Sequence, residues 1–570
     1  MFEIADCRSN RHILTSNSLH ERLTHQPGRV DRCVAIRPAA SLSDALSSRK
    51  LMTSPVHLDS DLDILNHTCT KNHQVSGIID NRSSQHVSHL TLPSSMQTLV
   101  WQPQRQSASA VDDARQLTVT IKGCGGWEEL RDVCVRHNGA FNSTHLAAAI
   151  THLAQISSHV SSLDRASSGV NAGQSDYGEA FMLPGSRRRL KTGASIVSAQ
   201  MSRSGSSSLL DKLLGEVLRH PERFTARQIS NMVWAAARLQ GKETLHPDST
   251  VALFLKSAVQ VCASLKGQFL PQHLSNFAYG IALLRYDPGR QWLLSLIQDS
   301  LVMTDSFKPC ELVILAFSMN KLLPQYASDS VLSRKMKLLH FSLISLSYSQ
   351  LTQFTGKELS SLALSLTSLS RICKCEEQHN QSQWTLTLFR TAQDRLNAGD
   401  LNSQSITSLL LACSRLLPLQ PDFKEKAQRD QLTSLLNNIT YSTEQSLSHW
   451  SLQALSHTYI SIAKLGHSPT DTWMQSFEAA VEGHLARTLN KSRTAMPTGF
   501  AHYLGIFIYG MSIFQWKPSL SFISAFLACC TIVDLRPDEA NRIILSLKRL
   551  GIVCNQIPDF HWNQSKRLPR

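Results

Sequence analysis

Polar side chains suited to contact with a nucleic acid recur at one register along this chain. Arg227, Gln228, Asn231 and Arg238 lie between Phe224 and Leu239, and Gln272, His273 and Asn276 take corresponding places between Phe269 and Leu284. Lys308, Lys357, His457 and Arg542 extend the series. An Asn or Gln amide donates and accepts at once, as a base edge requires, while Lys and Arg neutralise phosphates. Arg187, Arg188 and Arg189, in Ser186-Arg-Arg-Arg-Leu-Lys191, could add phosphate contacts without sequence preference. Taken singly, each of these is also an ordinary solvated position; the collective feature is a basic, polar groove. Trp234 and its register mates Tyr279 and Phe317 could stack on bases, but packing between repeats is the simpler use.

Enzymatic chemistry finds no comparable pattern. The chain has no GxxxxGK[ST] loop, no GxSxG elbow, no HExxH pair and no carboxylates paired at a recurrent helical offset. Its 13 cysteines form no CxxC pair. The nearest approach to a metal set is Cys373-Lys-Cys375 with His379, which also reads as a loop of reduced thiols. Asp59-Ser-Asp61-Leu-Asp63 opens like a calcium loop, but Ile64 stands where the turn needs glycine. The expectation is a non-enzyme without metal or cofactor.

The elements that must position the polar series are written in a repeat. Phe224-Thr-Ala-Arg-Gln-Ile-Ser-Asn-Met-Val-Trp-Ala-Ala-Ala-Arg-Leu239 returns as Phe269-Leu-Pro-Gln-His-Leu-Ser-Asn-Phe-Ala-Tyr-Gly-Ile-Ala-Leu-Leu284. Further copies open at Phe307, Phe354, Leu401, Trp450 and Leu535, with spacings of 45, 38, 47, 47, 49 and then 85 residues. The last gap spans two periods, and Phe500 to Met511 is the degenerate copy expected inside it. Phe141 to Leu153 is an early copy, two periods before Phe224, so one unit there is expected to be eroded or replaced by a linker. Periods of this size signal stacked helical hairpins.

Each copy also carries helix-start chemistry. Thr225-x-x-Gln228 and Thr355-x-x-Glu358 are capping-box patterns. Pro271, Pro309 and Pro537 stand at the first helical position, and Glu311 and Glu539 at the third, where a carboxylate favours the positive end of the helix dipole. Apolar residues at helical spacing follow, such as Ile229, Met232, Val233, Ala236 and Leu239. The expected fold is all-α, a right-handed α-solenoid of tandem helix–turn–helix repeats.

The net charge of +14 favours acidic partners. Residues 1–117 hold 12 Lys and Arg against 11 Asp and Glu, so the rest, 45 against 32, carries nearly all of the excess. No apolar stretch is long enough to span a membrane. Residues 1–117 are rich in Ser, His and Gln, with Arg8, Arg11, Arg22, Arg29, Arg32 and Arg37, and read as a disordered leader with an organelle transit peptide. Residues 118–167 are expected to form an N-terminal helical cap, 168–208 a Ser/Gly/Arg-rich linker, 209–555 the solenoid and 556–570 a basic tail.

The repeat, with Leu/Ile-Ser-Asn, then Trp/Tyr-Ala/Gly and a closing Leu, resembles the octotricopeptide repeat proteins of green algae, relatives of the FAST-kinase-like mitochondrial proteins. Gly125-Gly-Trp-Glu-Glu-Leu-Arg-Asp-Val-Cys-Val-Arg-His-Asn-Gly-Ala-Phe141 is similar to the helix that often opens such arrays. The resemblance covers residues 120 to 555 and implies an organelle protein that binds single-stranded RNA in its stabilisation, processing, splicing or translation. It implies chloroplast before mitochondrion. It also leaves open a structural role beside the organelle ribosome or other gene-expression proteins. The stretch after Leu550-Gly551 is too short for the RAP domain that many of these proteins carry.

Overall fold

Every repeat copy read from the sequence opens a helix. The computed structural model describes residues 108–167, 196–241, 245–373, 379–416, 426–490 and 499–552, all within the compact unit Thr98–Arg570. Among them are 19 α-helices, joined by turns and short 3-10 segments, and no strand. The first helices of the hairpins are α1 (Ala108–Gly123), α3 (Ser143–Ser167), α5 (Ala226–Gln240), α7 (Pro271–Leu283), α9 (Pro309–Leu322), α11 (Gly356–Cys373), α13 (Ser403–Leu416), α15 (Leu452–Lys464), α17 (Phe500–Phe514) and α19 (Pro537–Arg549). The second helices are α2 (Trp127–Arg136), α4 (Ile196–Arg219), α6 (Thr250–Ser264), α8 (Arg290–Val302), α10 (Ser330–Gln350), α12 (His379–Asn397), α14 (Lys426–Thr443), α16 (Asp471–Leu489) and α18 (Leu520–Ile532).

The odd helices form one row, each packed on the next from α1 to α19. The even helices form a second, with α2 on α4, α4 on α6, the run from α8 to α14, and α16 on α18. Bonds between odd helices join like positions, so these helices run parallel. Ser275 Oγ donates to the Glu311 carbonyl at 3.0 Å, Thr407 Oγ1 lies 3.0 Å from Thr458 Oγ1, and Arg415 Nη1 donates to Ser368 Oγ.

The repeated apolar residues face inward. Ile229, Leu274, Leu312, Leu359, Ile406 and Leu455 are all buried, each worth about 1.5–3 kcal/mol against exposure. A column of small residues, including Ala235, Gly280, Ser318, Ser365, Ala412, Ser461, Gly510 and Ser546, lets successive odd helices approach closely. A Cβ on Gly280 would lie 2.7 Å from both Cγ1 and the carbonyl oxygen of Val233, and one on Gly510 2.6 Å from the Tyr459 ring. Buried hydroxyls in these helices bond backward to their own carbonyls, as from Ser230 to Ala226 and from Ser360 to Gly356, both at 2.7 Å.

The helix starts follow the expected chemistry. Thr225 and Gln228 make a complete capping box, and Thr355 and Glu358 exchange the same two bonds. Pro271, Pro309 and Pro537 occupy the first helical position. In those copies the third residue reaches back alone. His273 Nδ1 accepts from the Leu270 N–H, Glu311 from Lys308 N–H, and Glu539 from Arg536 N–H.

Three sequence expectations change. Helix α1 runs across the boundary drawn at residue 117, because Leu117 and Ile121 bury against the array and His145 Nε2 bonds the Ala114 carbonyl at 2.9 Å. No unit is missing before Phe224, since α3 packs directly on α5. The extra length lies inside one hairpin, between α3 and α4. Helix α4 also begins within the expected linker, at Ile196. Its Gly205 resembles part of a tether but acts as a seat for Trp127: a Cβ there would come within 2.2 Å of that ring. The leader up to residue 107 and the tail after 552 lie outside the described residues.

Candidate nucleic-acid interface

An interior odd helix is covered by the odd helices on either side and by the even row. Its remaining face is open, and four positions spaced along one helical stripe occupy it. In α5 these are Arg227, Asn231, Trp234 and Arg238, the first exposed and the others half-buried. The same four positions form rows along the array. The Arg227 row continues with Gln272, Cys310, Lys357, Gln404, Gln453, His502 and Asp538. The Asn231 row continues with Asn276, Ile314, Ser361, Ser408, His457, Ile506 and Arg542.

Eight of the residues singled out from sequence stand in these rows: Arg227, Gln272, Lys357, Asn231, Asn276, His457, Arg542 and Arg238. Three do not. Gln228 Oε1 accepts from the Thr225 N–H at 2.9 Å, and its amide donates to Thr144 Oγ1 of the preceding odd helix at 3.2 Å. His273 is buried and bonded to the Leu270 N–H. Lys308 is the residue before the first turn of α9, where its N–H donates to Glu311. These are helix-capping positions rather than groove positions. Arg187, Arg188 and Arg189 lie outside the described residues.

The Trp234 row divides the array. Trp234 lies beneath Arg238, whose guanidinium carbon is 6.0 Å from the ring centroid. Tyr279 and Phe317 are buried and pack on each other at 5.8 Å, so both serve chiefly as packing between units. Lys321 Nζ lies 5.8 Å from the Phe317 centroid. Beyond α9 the row holds Leu364, Leu411 and Ile460, then the half-buried Tyr509 and the exposed Leu545.

Burial governs the histidines. The His457 ring is pushed down to about 4 by burial, then by His502 and Arg415. His502 is lowered by burial and by Arg542, and His273 by burial and by Arg227. The cations of the open face at neutral pH are therefore Arg and Lys. The Lys357 ammonium is itself lowered by burial, with Glu358 opposing.

Sequence reading found Arg238 but not its row. Lys321, Arg415, Lys464 and Arg549 stand at the same place in α9, α13, α15 and α19. The signal was present: each directly precedes a closing leucine, in Arg238-Leu239, Lys321-Leu322, Arg415-Leu416, Lys464-Leu465 and Arg549-Leu550.

Among the described residues, no three of His, Cys, Asp and Glu converge to hold a metal ion, and no helix is long and apolar enough to cross a membrane. Cys373 is buried at the end of α11, and Cys375 lies outside the described residues. No family model matches the chain, and no curated protein does.

Proposed function

We propose that this chain is a helical-repeat protein that binds single-stranded RNA along the open face of its odd helices and acts in the expression of organelle transcripts. One observation carries the reading. Amides at the Arg227 and Asn231 rows (Gln272, Gln404, Gln453, Asn231 and Asn276) share the open face of the parallel helices with cations at the Arg238 row in α5, α9, α13, α15 and α19. Such a face offers donors and acceptors to splayed bases and positive charge to phosphates. The resemblance to octotricopeptide repeat proteins supplies the organelle, chloroplast first. Crosslinking and sequencing of RNA bound to tagged protein in isolated organelles tests the proposal. Short footprints on one or a few transcripts are expected, and no RNA above background would end it.

A second reading, a scaffold that binds protein, is favoured by the apolar part of the same face. Leu364, Leu411 and Ile460 are half-buried there, and Leu545 is 58% exposed. A contact of that kind depends weakly on salt, whereas an RNA contact weakens steeply. Recovery of ribosomal RNA alone, co-sedimenting with ribosomal proteins, would select the scaffold.

A further inference from the structure

The macrodipole favours a cation in the last turn of any helix, whichever row it belongs to. From α5 onward the two rows differ. Six of eight odd helices end in Lys or Arg (α5, α9, α11, α13, α15 and α19), against two of seven even helices (α12 and α16). No odd helix in this range has Asp or Glu in its last turn. The even helices α2 and α4 before this range also end in a cation, Arg136 and Arg219, so what sets the odd row apart is the shared position of its cations.

Five of these cations share one register: Arg238, Lys321, Arg415, Lys464 and Arg549. Because the odd helices are parallel, all five lie along the same edge of the open face. Lys321, Lys464 and Arg549 are exposed, while Arg238 and Arg415 are half-buried. Neighbouring helices pack about 8–10 Å apart, so cations two odd helices apart are separated by about 16–20 Å. The Asn231 row runs alongside, displaced by about 10 Å along the helix axes. It holds the uncharged polar Asn231, Asn276 and Ser361, with Ile314 and Ile506, the buried Ser408 and His457, and Arg542 in α19. In α5, α7 and α11 uncharged hydrogen-bonding side chains of this row thus lie inward of the edge that carries the five cations.

We infer that Arg238, Lys321, Arg415, Lys464 and Arg549 form a phosphate track, along which the backbone of single-stranded RNA runs with its bases turned toward the Asn231 row. The inference rests on the RNA-binding reading and adds the placement of the strand within the face. Phosphate contacts position a strand without reading it, whereas contacts to base edges specify sequence. The two rows therefore make separable contributions.

The test uses the full chain, a labelled oligouridylate long enough to span the array, and a random-sequence RNA pool. Lys321→Gln, Lys464→Gln and Arg549→Gln together are expected to lower the slope of log affinity against log salt by about 0.7 per cation, roughly 2 in all. The sequences enriched from the pool should stay the same. Asn276→Ala should do the reverse, shifting the enriched sequences and leaving the slope intact. Replacing the two lysines by Arg and Arg549 by Lys should keep the slope, which separates lost charge from a damaged fold. A parent that binds steeply with salt beside an equally steep Gln variant overturns the track and leaves RNA binding standing. A parent that binds neither probe ends both.

Discussion

At His457 the open face and the core make opposing demands. Its place in the Asn231 row turns it toward that face, yet it is only 7% exposed, and neither ring nitrogen has a hydrogen-bond partner among the described residues. Its ring meets Tyr503 edge-on at 6.3 Å, with Arg415 and His502 as the nearby charged or titratable groups. Burial lowers its folded pKa to about 4 from an ordinary 6.5. Between those values the unfolded chain binds a proton that the native chain does not. Stability is therefore full above pH 6.5 and falls as pH drops toward 4. From pH 7 to pH 5 this group should cost the parent about 2 kcal/mol, and His457→Leu should lose that much less. Urea midpoints at the two pH values measure it; an unchanged acid loss would mean that the ring is hydrated. His273, His467 and His502 shift in the same direction, so some acid sensitivity will persist. The site was only partly legible for a related reason. Gln228 and His273 have the chemistry for RNA, but at a helix start an acceptor is taken by backbone N–H groups.

Helix starts were the most legible elements, because a cap or a first-turn proline is a local device that sequence states outright. Even the degenerate copy at Phe500 forms its helix, α17, between α15 and α17's other neighbour α19. Helix α1 and the hairpin interrupted between α3 and α4 were not legible, because counting along the chain cannot tell an insertion from a lost unit. Close approach was hidden as well: Gly280 and Gly215 look alike in sequence but meet different surroundings. A Cβ at Gly280 would strike Val233, whereas one at Gly215 in α4 meets nothing within 4 Å. Gly280→Ala should destabilise by about 1–3 kcal/mol, overriding any gain in helix propensity. Gly215→Ala should stabilise by about 0.5–1 kcal/mol. Chemical denaturation of both variants checks the pair, and shifts of the same sign would contradict the packing described. The residue after the closing position gives a third case. Gly466 and Gly551 adopt φ of 67° and 73° there, and Gln515 adopts 55° in α17. Gln515→Gly should therefore raise stability by about 1 kcal/mol, read from the same curves.

In a stacked array each unit meets only its neighbours, so a helix that ends a row must close a flank which every interior helix buries. Ser275 and Thr407 bond the following helix, and their column, with Ser230, Val313, Ser360 and Ser456, is buried throughout. In α19 the matching residue is Asn541, and it is exposed. Ala237, Ala282, Thr367, Ser414, Ala463 and Ser512 are buried in a second column on the same flank, which also holds the half-buried Asn320 of α9, and there α19 has the exposed Lys548. Two interior positions built for contact have become an amide and an ammonium, groups that resist burial against another helix. Among the described residues α19 is the last odd helix, and two polar groups on this flank would disfavour packing of a further like helix against it. Restoring the interior pattern, with Asn541→Val and Lys548→Ala, should produce self-association that increases with concentration. Light scattering on the eluting protein gives the mass directly. A variant with the parent's mass at every concentration would mean that the residues at these two positions do not limit the array.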